Sequence, residues 1–131
     1  MKIKIITFLF LTFCALISRG SVIPYELGDG ALAENVRMFN LDDTELYKNK
    51  IPNSKAAEFM LKNVPRFDCP DELIEKVYYF RWWTFRKHLR KTELDGWVIT
   101  EFMPDVSWAG KHNTISCASA HHMREARWLR D

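Results

Sequence analysis

The run Tyr78-Tyr79-Phe80-Arg81-Trp82-Trp83-Thr84-Phe85 places six aromatic residues in eight positions. Wound as a helix at about 100° per residue, those rings sweep roughly 220° of the surface. Only Arg81 and Thr84 fall in the remaining arc. An ordinary surface helix needs an apolar stripe on the order of 100° wide. A helix built on this run must therefore be covered on at least two sides. Either it lies between layers of a larger helical assembly, or some of its aromatic faces line a groove. The chain has 131 residues, of which 14% are aromatic and five are Trp. That is room for about one domain. So short a chain offers few surfaces able to cover such a belt, and the expectation is that part of the cover lies elsewhere.

Hydrophobic residues make up 47% and charged residues 27%, with five Gly and five Pro. A collagen-like, low-complexity or fully disordered chain is excluded on that composition. The formal charge is +2, but Lys2, Lys4 and Arg19 stand in the first twenty residues with no acid beside them; without them it is −1. A mainly electrostatic nucleic-acid partner is not expected on this balance.

Residues 1–20 read as a secretory signal peptide. Lys2 and Lys4 form a positive start, Ile5 to Ile17 is an apolar run, and Ser18-Arg19-Gly20-Ser21 supplies small residues for cleavage. The run is shorter than the roughly 20 residues a membrane-spanning helix needs. An uncleaved anchor is the alternative. The expectation is an exported protein, periplasmic or extracellular, with no membrane association after cleavage. Beyond the leader, Cys69 and Cys117 either form one disulfide or remain two thiols.

Residues 21–70 read as an N-terminal arm with short helices. Val22 to Asn40 looks irregular. Asp42-Asp43-Thr44-Glu45 has capping-box spacing and predicts a short helix through Tyr47, ended by Ile51-Pro52-Asn53. Ser54 can cap a helix over Lys55 to Asn63, with Ala56, Phe59, Met60 and Val64 near one face and Pro65 closing it. Asp68-Cys69-Pro70-Asp71 then opens the aromatic helix, with Asp68 as the expected cap. Its expected end is near Lys91. Thr92 to Gly96 reads as a turn and Trp97 to Met103 as a strand. Pro104 to Asn113 is a loop, and Ile115 to Asp131 a last helix that the sequence cuts in mid-pattern.

Several positions suit a sugar site. Trp82 and Trp83 offer flat apolar faces with a polar edge, and Arg81 beside them can meet a hydroxyl or a carboxylate. Core packing, or an ion pair for Arg81, is the plainer use. Glu101 sits on the apolar side of its strand, between Ile99 and Met103. A carboxylate there needs a partner: a substrate hydroxyl, a proton to transfer, or an Arg. The loop from Pro104 to Asn113 gathers Trp108, Lys111 and His112 ahead of a helix N-terminus. His121 and Glu125 share helical spacing, but the His-Glu-x-x-His pattern is absent and no third metal ligand is evident. No metal or cofactor is expected. Without a family, the composition also fits a small secreted module that binds sugar or an apolar partner and does no chemistry.

Four stretches resemble one family. They are Tyr79-Phe80-Arg81-Trp82-Trp83-Thr84-Phe85-Arg86-Lys87-His88, Gly96-Trp97-Val98-Ile99-Thr100-Glu101-Phe102, and Trp108-Ala109-Gly110-Lys111-His112-Asn113-Thr114-Ile115. The fourth joins His121-His122 to Glu125-Ala126-Arg127-Trp128-Leu129-Arg130-Asp131. Together they look like the start of the catalytic domain in bacterial six-hairpin glycoside hydrolases of the mannosylglycerate-hydrolase-like and trehalase-like kind. The match covers under half of the chain. It implies a mainly α fold, the first helices of an (α/α)6 toroid with a short strand or hairpin, incomplete over residues 71–131. It implies inverting hydrolysis of an oligosaccharide or glycoside by two separate carboxyl groups. In such enzymes those groups lie beyond the first two helices, so none of the catalytic residues is expected here. Arg81, Trp83, Glu101, Trp108, Lys111 and His112 are the expected substrate contacts. Activity of this chain alone is doubtful on that reading, and its oligomeric state is left open.

Overall fold

A computed structural model describes residues 26–46, 50–94 and 96–130. The expected leader and Tyr47 lie outside the described residues. Among those described are four α-helices and one two-stranded sheet, a mainly α arrangement as expected: α1 (Gly30–Asp42), α2 (Ala56–Asn63), α3 (Glu72–Lys87), β1 (Leu89–Lys91), β2 (Trp97–Ile99) and α4 (Ser116–Ala126).

The stretch expected to be irregular is largely helical. Leu32, Val36 and Phe39 recur at helical spacing and are all buried, so α1 presents one apolar stripe to the core. The glycines that suggested irregularity, Gly28 and Gly30, sit at or before its first turn. The expected capping box starts nothing. Asp42 is the last residue of α1, and Asp43 is the C-cap in extended conformation. The Asp43 carboxylate serves tertiary partners instead, accepting from Lys87 Nζ at 2.5 Å and Asn53 Nδ2 at 2.7 Å.

The second helix lies where expected, but Ser54 makes no capping bond. A 3-10 turn over Asn53–Lys55 leads into it. Ala56 and Met60 are buried, and Val64 is already extended ahead of Pro65, as a residue before proline prefers. The third helix starts at its own acid. Asp71, not Asp68, accepts from Leu73 N and Ile74 N at 2.9 and 3.3 Å.

Helix α3 ends at Lys87, short of the expected Lys91. His88 turns the chain, and Leu89–Lys91 pairs antiparallel with Trp97–Ile99 in the register Leu89↔Ile99, Arg90↔Val98 and Lys91↔Trp97. Gly96, at φ 77°, lets this connection close. The expected strand to Met103 is cut to three residues. Glu101 N turns to Asn113 O at 3.1 Å, because the following loop needs that pairing. The last helix also stops early. It ends at Ala126 with Arg127 as C-cap, and Arg130 N then donates to Asn63 O at 3.0 Å. The premise of a helix cut in mid-pattern is thereby corrected.

The aromatic belt is covered on one side by this chain itself. Tyr79, Trp82, Trp83 and Phe85 are buried against a core that includes Leu32, Val36, Phe39 and Met60. Polar edges are satisfied where rings go in. Trp83 Nε1 donates to Asn40 Oδ1 at 2.8 Å, and Tyr79 Oη donates to Phe67 O at 2.8 Å. On the opposite side Leu73, Ile74, Val77 and Phe80 stay 69%, 52%, 58% and 47% exposed. Of the six rings of the belt only Phe80 is exposed, so the expectation that this chain cannot shelter the belt is corrected for the other five.

Among the described residues Arg86 is the one cation fully removed from solvent in this core. Its Nη1 and Nη2 donate to Ile51 O and Asn53 Oδ1, both at 2.5 Å, while Nε has no partner. Burial pushes its pKa down to about 10, and the Glu45 and Asp43 carboxylates oppose that shift, so it stays charged at neutral pH.

Two outcomes check this arrangement. Leu32→Ala should cost about 2–5 kcal/mol in chemical denaturation. Leu41→Ala, on the exposed face of the same helix, should stay within about 0.5 kcal/mol. Asp43 gives a pH dependence. Burial alone would raise its pKa, but the bonds from Lys87 and Asn53 outweigh that and hold it below the ordinary value. A carboxyl depressed in the native state stabilises above its unfolded pKa of about 3.9, and that contribution fades as pH falls through the native value. Asp43→Asn should therefore weaken the fold by about 1.5–3 kcal/mol at pH 7. The two proteins should converge in stability when unfolding is followed toward pH 3.

Candidate functional site

One helix face, one strand end and one further helix meet at a polar cleft of about 150 Å³. Helix α3 supplies Arg81 and Phe85 four residues apart, and then His88 as its C-cap. Thr100 and Glu101 follow directly on β2, whose pairing with β1 carries them back beside the end of α3. Helix α4 adds His122 and Glu125, three residues apart on one face.

The charges in the cleft are paired across elements. Arg81 meets Glu125 with both ends of its fork, Nε to Oε1 at 2.7 Å and Nη2 to Oε2 at 2.8 Å. Glu101 Oε1 lies 2.6 Å from His122 Nε2. That contact is one of distance rather than alignment, since the shielded Oε1 accepts no hydrogen bond. The group beside Glu101 is thus a histidine; an arginine was one of the three partners the sequence allowed. His88 Nδ1 lies 2.9 Å from Thr100 O. A carbonyl only accepts, so Nδ1 carries the proton of this bond.

The loop beside the cleft is held by Asn113. Its carbonyl accepts from Thr100 Oγ1 at 2.7 Å and from Glu101 N at 3.1 Å. Its side-chain Oδ1 accepts from Val106 N at 2.5 Å, and it adopts φ 51°, a region Asn tolerates better than most residues. Gly110, at φ 72°, allows Asn113 N to reach Gly110 O at 3.2 Å. Arg90 clasps Asp105 at the other end of the loop and holds the carboxyl of Asp105 below its ordinary pKa by hydrogen bonding.

Of the six residues picked out in the sequence, Arg81 and Glu101 line the cleft. Trp108 and Lys111 are exposed on the loop, and His112 is half-buried there. Trp108 stands edge-on to Phe102 with ring centroids 4.8 Å apart. Trp83 lies in the core, 4% exposed, with Lys87 Nζ 4.2 Å from the centre of its ring. Sequence reasoning paired Glu125 with His121, as a metal ligand or a hydrogen-bonded partner, and did not place His122, His88 or Thr100 in a sugar site. The signal for His88 was its place at the helix end, which the expected extension to Lys91 concealed.

Among the described residues no group of three or more His, Cys, Asp or Glu is placed to hold a metal ion. Cys69 and Cys117 are both free thiols. Carboxylates, imidazoles and a guanidinium in one small cleft can hydrogen-bond hydroxyl groups.

No family model matches the chain, and no curated protein does. A solved structure described as a sialidase is similar to it, at 42% identity and a TM-score of 0.76 over 80% of this chain. The matched part is 10% of that chain, so the present chain spans about a tenth of the length of the structure it resembles. At that identity the likeness relates this chain to a segment of a glycoside hydrolase. The description is of a sialidase and not of a six-hairpin enzyme.

Asn113→Ala should remove the Val106 bond and strain the left-handed backbone, costing about 1–3 kcal/mol. Hydrogen exchange at the Val106 amide should accelerate more than at Val36 in the core. Equal acceleration at both sites would mean that Asn113 does not specifically hold the loop.

Proposed function

We propose that this chain forms one wall of the sugar site in a glycan-hydrolysing protein, with the cleft between α3, β2 and α4 facing the substrate. The observation that carries the reading is the 42% identity to a segment of a solved sialidase. Arg81, Glu101, His122 and Glu125 supply acceptors and donors for sugar hydroxyls. Trp108 offers an exposed ring for stacking, and Lys111 and His112 stand on the same loop. Trp83 packs in the core against Phe80 and Phe39 and is not among the residues that line the cleft.

The finer reading places α3 in an (α/α)6 toroid. Its support is the residue texture around the aromatic helix, together with the open apolar face that a neighbouring helix pair would cover. On that reading hydrolysis is inverting and the two catalytic carboxyl groups belong to parts of the protein outside this chain. Neither glutamate of the cleft is placed as such a group here, since Glu101 and Glu125 already engage His122 and Arg81. The chain alone then binds glycans weakly and does not cleave them. The apolar run near the N-terminus supports export, and an oligosaccharide or glycoside is the expected substrate.

The test is a titration of the purified chain with neutral oligosaccharides and sialyllactose, followed by the NMR signals of His88 and His122. The expected result is a saturable shift of both imidazoles without product formation, weakened at least about tenfold in Glu101→Gln, the size of a lost charged hydrogen bond. Unmoved imidazoles across the whole panel would refute a sugar-facing cleft. Cleavage of a glycoside by the purified chain would refute the missing-carboxylate reading.

A further inference from the structure

A second depression, of about 500 Å³, lies between α1 and α3. Phe39 of α1 and Phe80 and Trp83 of α3 line it. Phe80 stands edge-on to Phe39, with ring centroids 5.2 Å apart, and stacks on Trp83 at 5.8 Å. Leu73 and Val77, four residues apart, form one row along α3 at its side. With the adjacent Ile74 they make an exposed apolar ridge next to the groove. A contiguous apolar patch on a helix pair marks an interaction surface. Ridges of one helix pack into the grooves of another, and here a ridge and a groove share one face.

The same face carries one charge of each sign that the fold does not use. Asp42, the last residue of α1, and Lys76 of α3 both line the depression. Neither side chain has a hydrogen bond or ion pair among the described residues. Asp43 differs, since it already accepts from Lys87 and Asn53. Two requirements of a contact between identical surfaces are thereby met. Ridge and groove adjoin, so two copies can insert each into the other. A two-fold axis passing between Asp42 and Lys76 also brings each opposite its counterpart. A partner of a single charge sign would instead meet one like charge, and an anionic lipid surface would meet Asp42.

We infer that a second copy of this chain covers the open face of α3, in a two-fold dimer. The row of Leu73 and Val77 in each copy enters the depression of the other over Phe80, and Asp42 of each copy meets Lys76 of the other. The contact is small beside the roughly 20–30 residues a side of a stable interface, so the dimer is weak and exchanges with monomer. The inference stands apart from the glycan reading, because no residue that lines this depression lines the cleft. The toroid reading gives the face to a further helix pair; α1 and α3 of a second copy are such a pair.

The experiment is sedimentation equilibrium of the purified chain from about 1 to about 300 µM. The expected result is a reversible monomer–dimer equilibrium in which dimer prevails only above about 10 µM. Val77→Glu should leave the chain monomeric throughout. Asp42→Lys and Lys76→Asp should each weaken dimerisation at least about fivefold, since the symmetry repeats the pair, and the double variant should restore it to within about twofold. All three positions are exposed, and the indole N–H signal of Trp83 checks that each variant keeps its core. A chain monomeric over the whole range would overturn the inference and leave the glycan reading untouched. So would a dimer indifferent to Val77→Glu, an association that grows beyond two copies, or a double variant that stays monomeric. A monomer in which the Phe80 signals move only when phosphatidylcholine vesicles are added would give the face to a lipid surface instead. Sugars that fail to move His88 and His122 while the dimer persists would refute the cleft alone.

Discussion

The packing of α1 on the aromatic helix is what the rest of the structure depends on. A helix with rings over some 220° of its surface stays in solution only where another surface excludes water from them. Leu32, Val36 and Phe39 do this for Trp83 and its neighbours, and Asn40 satisfies the one polar atom that goes in with the indole. Burial of a ring removes on the order of 150–250 Å² from water. Non-directional attraction of that size sets the helices side by side, and the Trp83–Asn40 and Lys87–Asp43 bonds fix their register.

Around that contact the chain arranges a set of charges that would otherwise be costly. Arg86 sits with no solvent contact and donates to the backbone of Ile51 and the side chain of Asn53. Asn53 in turn donates to Asp43 at the end of α1 and, through its backbone, to Glu45. The connection between α1 and α2 is thus tied to the end of α3, from which the hairpin departs. The hairpin carries Thr100 and Glu101 to the cleft, so the position of the candidate site follows from how α3 is anchored. Arg86 is better regarded as fixing one geometry than as adding stability, because its own desolvation is expensive.

Much of this was legible in the sequence where the cause is local. The two-residue grammar of Pro65 and the apolar spacing of Ala56 and Met60 located α2. The belt announced that α3 needs cover on more than one side. What the sequence hid depends on tertiary partners. Asp42 to Glu45 has the spacing of a helix start, yet Asp43 is drawn to Lys87 across 44 positions, and α1 runs into it. Leu89 to Lys91 has no signal that separates it from a continuing helix; antiparallel pairing with Trp97–Ile99 decides it. The cleft shows the same division. Glu101 was conspicuous as a carboxylate among apolar neighbours, but His122 as its partner lies 21 positions away and is reached only through the fold.

The open face of α3 and the covered one make different demands on the five indoles and on Phe80. Hydrogen exchange of the indole N–H groups reads the covered side directly. If α1 shelters the belt, Trp83 exchanges far more slowly than the exposed Trp97, Trp108 and Trp128, and its protection approaches that of the slowest backbone amides. Exchange of Trp83 as fast as those three would contradict the docking of α1 on α3, and with it the placement of the hairpin and the cleft.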